Sequence, residues 1–326
     1  MRSLQLALTT RTADSRSAAN QGVNNDFPNH ISWNQQNMLV NYTYKCQLNQ
    51  EMPIKLQYQL NFFKQLIAYL EANYSEIHDS IYESFCEIQR NVANDQSKKF
   101  AFKHYILSEK VHFTLKESKS FVADGTTGLC SWQAALALTD YLLHHKVVLW
   151  NRRVLELGSG TGFCGFIIHK LCKPKYTLLT DGSLSCVKLI GENIELNCLQ
   201  TEEIMDNKWL VDDRILEWGL ADWKAINCAK QVKTLVPDIL LAADVVYDNN
   251  VFDDLLQAID YVFNLRQNKV KMFLATTVRN ETTLNSFLNK LENFRFQIEE
   301  ANIIPLEHSF LYWDRSTPIK ILIITR

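Results

Sequence analysis

The sequence predicts an α/β protein: a mainly parallel sheet wound with helices, preceded by a smaller, mostly helical N-terminal region. Three observations carry this expectation. From Arg153 onward, short apolar runs alternate with segments of helical period, the pattern of strands joined by right-handed crossovers. Residues 154–162 read Val-Leu-Glu-Leu-Gly-Ser-Gly-Thr-Gly, an apolar strand running straight into a glycine turn. Residues 238–247 then bring a second buried run to a small residue, an acid and a tyrosine.

The elements follow in order. The first 25 residues hold three arginines and one acid, a composition faintly like a transit peptide. Without an amphipathic stripe, they read instead as a disordered terminus. From 18 to about 52 the chain is rich in Asn and Gln, with Trp33 and Tyr42 scattered through it, so residues 1–50 are expected to be disordered or irregular. Leu60, Phe63, Leu66, Ile67 and Leu70, then Ile77, Ile81, Phe85 and Ile88, recur at helical spacing. They place two amphipathic helices between about 58 and 91, inside a helical N-terminal region spanning 51–115. A polar stretch at 91–99 reads as loop.

Alternation at Val111, Phe113 and Leu115 suggests a short hairpin. Asp124-Gly125-Thr126-Thr127-Gly128 is a turn, after which Ser131 can cap a helix through Ala134, Leu138 and Leu142. The catalytic domain is expected over 116–326. Its strands read as 153–157, 176–180, 215–218, 239–243, 271–277 and 319–325, and its helices as 165–171, 183–197, 252–264 and 282–291.

Composition bounds the function. A net charge of −2, with 47% hydrophobic and 21% charged residues, gives no bulk attraction to nucleic acid. No apolar run approaches the roughly 20 residues of a membrane helix. Eight cysteines without a C-x-x-C pair suit neither a disulfide framework nor a metal site, which implies a reducing, intracellular compartment.

The glycine turn identifies a ligand class. Only ten glycines occur in the chain, and four fall between Gly158 and Gly165. A dinucleotide loop wants Gly-x-Gly-x-x-Gly, but Phe163 occupies the place of the third glycine. Glu-x-Gly-x-Gly-x-Gly instead resembles the first motif of Rossmann-like S-adenosylmethionine-dependent methyltransferases. That cofactor has no phosphate, so its loop needs only close backbone approach, here at Gly158, Ser159 and Gly160.

Open α/β sheets bind ligands at the carboxyl ends of their strands, and the remaining candidates sit there. Asp181 can accept both ribose hydroxyls, or cap a helix beginning near Gly182. Glu156 would favour the cofactor's ammonium; the competing reading is a solvent-exposed strand-end acid. Trp218 can wall an adenine pocket or simply join the core. Ala243 is small enough to lie beside adenine or the sulfonium. Asp244 and Tyr247 are the catalytic candidates, with a helix cap the competing role for Asp244. A lysine acceptor, with an ordinary pKa of about 10.4, must lose its proton first. Burial against an apolar wall lowers that value, and a nearby acid orients the amine.

Taken together, these residues resemble the eukaryotic elongation factor 2 lysine methyltransferase family. Four stretches carry the likeness: 125–136 (Gly-Thr-Thr-Gly-Leu-Cys-Ser-Trp-Gln-Ala-Ala-Leu), 154–162, 242–247 and 277–281 (Thr-Val-Arg-Asn-Glu). The resemblance covers roughly 116–326, and more weakly 58–110. It implies a Rossmann-like seven-stranded class I methyltransferase sheet, S-adenosyl-L-methionine as cofactor and a cytoplasmic monomer acting on a lysine of translation elongation factor 2. It also implies a cofactor contact for Trp132, which the residues alone score as a core aromatic at a helix start. Asp244-Val245-Val246-Tyr247 lacks the two prolines of enzymes that methylate adenine or glutamine. Methylation of another protein, RNA or a small molecule, or a scaffold without activity, are the alternatives.

Overall fold

The structure, a computed structural model, describes residues 31–73, 76–95, 99–108, 111–198, 210–218, 236–267 and 269–326. The expectations for residues 1–30 and Cys228 lie outside the described residues. The chain divides into two compact units, one ending at Phe102 and the other spanning Lys103–Arg326.

The described part of the first unit holds α1 (Trp33–Tyr42), α2 (Gln47–Glu51), α3 (Leu56–Asn73) and α4 (Asp79–Asn94). Leu39, Val40, Phe63, Leu66, Leu70, Ile81 and Ile88 form its core. The expectation of irregular chain up to residue 50 fails over 33–50. Ser32 and Gln35 form a reciprocal capping box at the start of α1. The amides that make the segment look irregular are buried and satisfied. Gln36 donates to the Ile31 and Glu76 carbonyls and accepts from His78 N; Asn49 donates to the Tyr44 carbonyl and Gln59.

The second unit contains a seven-stranded sheet. Its strands are β3 (Arg153–Leu157), β4 (Tyr176–Asp181), β5 (Leu210–Ile215), β6 (Ile239–Ala243), β7 (Lys271–Thr277), β8 (Gln297–Ala301) and β9 (Ile319–Thr325). The order is β5-β4-β3-β6-β7-β9-β8, with β9 antiparallel to both neighbours and the other pairings parallel. Strand order therefore reverses between β3 and β6, the switch point where such sheets open a crevice.

The central strands are mostly apolar because both faces are covered. Leu155 and Leu157 face a layer with α8 (Phe252–Leu265) and α9 (Glu281–Asn293), packed through Phe252, Ile259, Phe263, Leu284 and Phe287. Val154 faces the opposite layer, with α5 (Gln133–His144) and α6 (Phe163–Cys172), packed through Leu138, Leu142, Phe163 and Ile167.

A two-stranded sheet, β1 (Phe100–Ser108) and β2 (Val111–Ser118), precedes the large one. Phe113 and Leu115 are buried in the same core as α5 and α6. On α7 (Leu184–Cys198), Asn197 brackets the backbone of Thr114 and Asn193 that of Lys116, one helical turn apart. The expected domain boundary at 115/116 therefore cuts through a strand that belongs to the second unit.

Two further readings are corrected. The strand expected at 215–218 is β5, at Leu210–Ile215, so Trp218 lies beyond its end. Among the described residues β5 pairs only with β4, and an edge position tolerates Asp213. Strand β8 went unread because Gln-Ile-Glu-Glu-Ala is a polar edge strand.

Candidate active site

The glycine turn is built from its backbone. Gly158, Gly160 and Gly162 have φ of 64°, 57° and 80°, the left-handed region that side chains disfavour. At Gly160 a Cβ would lie 2.8 Å from the Gly128 carbonyl oxygen. The 125–128 turn thus crosses the loop backbone to backbone. Besides its positive φ, that crossing accounts for Gly160. Ser159 also serves the scaffold: its N–H donates to the Thr180 carbonyl, and its hydroxyl accepts from Thr180 N.

Glu156 is not a solvent-exposed acid. It is 2% exposed, and its Oε2 accepts from Gly165 N at 3.0 Å. Gly162 caps α6 without a side chain, so Glu156 serves the helix's free N–H groups from the neighbouring strand. Gly165 lacks a side chain where a Cβ would press into that carboxylate and Leu179. Burial raises the Glu156 pKa from 4.5 to about 8, against the lowering effect of the Gly165 and Ser159 hydrogen bonds.

Asp181 is not the helix cap weighed for it, since α7 begins at Leu184 with Ser183 before it; it closes the turn ahead of that helix. Its Oδ1 accepts from Ser183 N at 2.9 Å and its Oδ2 from Gly160 N at 3.0 Å. Burial nonetheless raises its pKa. Each oxygen keeps a second acceptor site.

Asp244, just past β6, has φ 55°, a conformation an aspartate tolerates. Its carboxylate accepts from Thr277 N (2.8 Å), Thr277 Oγ1 (2.9 Å) and Arg279 (3.2 Å). It is therefore not a helix cap; it ties β6 to the end of β7. Tyr247 is 59% exposed. Desolvation, then the charge of Asp181, raises its pKa above 10, so the hydroxyl is a neutral donor and not a phenolate base.

Trp132 precedes α5, and its Nε1 donates to the Thr127 carbonyl at 2.9 Å. The Arg279 guanidinium lies over its ring, 5.0 Å from the centroid. Ser131 does not cap α5. Its hydroxyl donates to Glu117 at 2.6 Å and accepts from Thr161 at 2.8 Å, and Tyr105 also donates to Glu117. This buried network fixes the glycine turn from behind, and sequence reading missed it. Glu117 and Thr161 are far apart in sequence, and only the fold brings them together.

One cavity of about 480 Å³ gathers Trp132, Glu156, Gly158, Ser159, Gly160, Asp181, Trp218, Ala243, Asp244 and Tyr247, within the range of small-molecule sites. All ten sequence-predicted site residues therefore line a single space. S-adenosylmethionine fits what lines it. Acids stand for the ammonium and ribose, bare backbone for close approach, and aromatic walls for the base. Trp218 contributes a buried indole N–H with no protein partner among the described residues. No group of three His, Cys, Asp or Glu that could hold a metal occurs among the described residues.

Strand order, glycine turn and cavity at the switch point define a Rossmann-like, seven-stranded methyltransferase. Residues 111–294 match the family model described as lysine methyltransferase. The human protein-lysine N-methyltransferase EEF2KMT is 30% identical over 78% of this chain and 77% of its own. Its Bos taurus counterpart is 29% identical over 81% and 79%. Protein-lysine N-methyltransferase EFM3 of Chaetomium thermophilum is 27% identical over 83% of each chain. The chain belongs to the lysine methyltransferase family. It is an S-adenosylmethionine-dependent protein-lysine N-methyltransferase, and its substrate is a protein. Among the described residues, no helix is long and apolar enough to cross a membrane.

Proposed function

We propose that this enzyme methylates a lysine of translation elongation factor 2, in the cytoplasm, as a monomer and without direct contact to nucleic acid. Trp132, Glu156, Gly158, Ser159, Gly160, Asp181, Trp218 and Ala243 hold the methyl donor, and Asp244 and Tyr247 serve the acceptor. The observation that carries the assignment is the convergence of all ten on one cavity at the switch point. The relatives named EEF2KMT support the choice of acceptor.

S-adenosylmethionine supplies a methyl group on a positively charged sulfur. The chain's own residues then have two tasks. The first is alignment, which alone can account for many orders of magnitude in rate. The Asp244–Thr277 bonds and the Glu117–Ser131–Thr161 network brace the cavity lining. The second is to admit the acceptor as a free amine. The lysine arrives as an ammonium; near Ala243 and the donor's positive sulfur the charged form is disfavoured, and the proton leaves to solvent across the exposed rim at Tyr247.

Mass spectrometry of elongation factor 2 from cells lacking this protein tests the reading. One lysine should lose its methyl groups, and the purified enzyme should restore them. Unchanged methylation at every lysine would overturn the acceptor assignment.

A further inference from the structure

Arg279 is a cation seated where the chemistry of the site calls for another one. Two of its nitrogens lie 3.2 and 3.4 Å from the Asp244 carboxylate oxygens, and its guanidinium covers the Trp132 ring. A carboxylate on one side and an indole face on the other is a seat for an alkylammonium. The Asp244 side chain is 5% exposed and that of Arg279 46%. A nearly buried carboxylate without a counter-charge is costly, so the resting enzyme needs a cation at this point. The guanidinium is half-exposed, so water can take it up when a second cation replaces it. Exchanging one for the other leaves the charge balance of Asp244 intact. Thr277 keeps its two bonds to the carboxylate throughout, so the acid stays aimed.

A second cavity of about 180 Å³ lies on the Arg279 side, lined by Phe121, Trp132, Thr277, Arg279 and Asp314 among others. It shares Ser131 and Trp132 with the donor cavity. Asp244 lines the donor cavity and Arg279 the second one, so Trp132 is their common wall. Phe121, its ring 5.7 Å from that of Trp132, is largely exposed at the edge.

We propose that Arg279 is an internal stand-in for the acceptor: the lysine side chain enters through the second cavity, and its ammonium displaces the guanidinium from Trp132 and Asp244. This rests on the acceptor being a lysine, not on which protein carries it.

The test uses the full chain and n-butylammonium as the lysine-side-chain probe. Binding is followed by the indole N–H resonance of Trp132, assigned through Trp132→Phe. Arg279→Gln removes the competing cation and should bind the probe about fivefold tighter than wild type. Arg279→Lys restores a cation and should bind as weakly as wild type. In transfer to elongation factor 2, Arg279→Gln should lower the acceptor KM. Equal or weaker probe binding by Arg279→Gln, tighter binding by both variants, or no shift of the resonance in any protein would each overturn the proposal. If wild type transfers nothing to elongation factor 2, the acceptor assignment fails while the probe titration still decides this one.

Discussion

Replacing Glu156 with glutamine removes a buried ionisable group while keeping an oxygen to accept from Gly165 N. In the folded protein the carboxyl holds its proton up to about pH 8, against an ordinary 4.5. Below 4.5 the folded and unfolded chains are both protonated, and the neutral acid's contribution to stability is fully present. Between 4.5 and about 8 the unfolded chain ionises while the folded one does not, so stability falls as pH rises. Above about 8 both are ionised and this contribution stays constant. At about 1.4 kcal/mol per pH unit, wild type loses about 3 kcal/mol relative to Glu156→Gln between pH 4.5 and 7. With about 2 °C per kcal/mol for a chain of this class, the gap in melting temperature between the two should move by about 6 °C over that interval.

Thermal unfolding of the ligand-free proteins across that pH range measures this difference, and a gap that stays constant would refute the reasoning. A cationic donor in the cavity adds a second readout, because its ammonium favours the ionised carboxyl. Titration calorimetry near pH 7, in buffers of different ionisation enthalpy, should show proton release on donor binding to wild type and none for the variant.

Gly160→Ala must hold φ near 57° and push its Cβ against the Gly128 carbonyl, 2.8 Å away. It should cost about 1–3 kcal/mol and weaken donor binding, read by denaturant unfolding and calorimetry. Asp244→Asn keeps an acceptor for Thr277 but loses the charge pair with Arg279; donor affinity should hold while acceptor transfer falls, by about 10²-fold. Transfer at the wild-type rate would remove Asp244 from the acceptor site. Asp238 accepts from Arg153 N and Nε and from Arg266. Burial opposes ionisation there, but these partners outweigh it and the pKa is lowered. Its stabilising effect is thus present above the ordinary carboxylate range and lost as pH falls through the depressed value. Asp238→Ala should cost about 2 kcal/mol at pH 7, by urea unfolding, and less in acid.

The sheet was legible because its central strands are apolar on both faces and end in chemically distinctive residues. Residues 239–243 and 319–325 could be placed to the residue for that reason. Edge strands carry no such signal. Among the described residues β5 and β8 have one neighbour each, so Asp213, Glu299 and Glu300 are tolerated within them and mask the period. The first helices were obscured differently. Gln36 and Asn49 are buried because their amides satisfy backbone groups across turns, and amide-rich composition resembles irregular chain until those partners are known. The capping box of Ser32 and Gln35 was the available clue. At the site, residue types at strand ends sufficed to collect the lining. They did not reveal how each acid is engaged, because Gly165, Gly160 and Thr277 become partners only once the chain is folded.

The three acids of the site share one physical arrangement. Glu156, Asp181 and Asp244 each stand within one residue of the carboxyl end of adjacent strands, and each accepts from a backbone N–H: Gly165, Gly160 with Ser183, and Thr277. Parallel strands leave their last peptide groups unpaired at this edge, so a carboxylate there closes the following turn whether or not a ligand is bound. Turn closure and ligand contact use different acceptor sites of the same oxygens, which lets one residue serve the fold and the reaction together. The three differ in compensating charge. Arg279 stands beside Asp244, whereas burial pushes up the pKa of both Glu156 and Asp181. The uncompensated pair lines the side of the cavity assigned to a cationic donor, and the compensated acid lies where the acceptor must bring its own cation. The distribution of counter-charge around the switch point therefore supports the proposed placement of the donor at Glu156 and Asp181 and of the acceptor at Asp244.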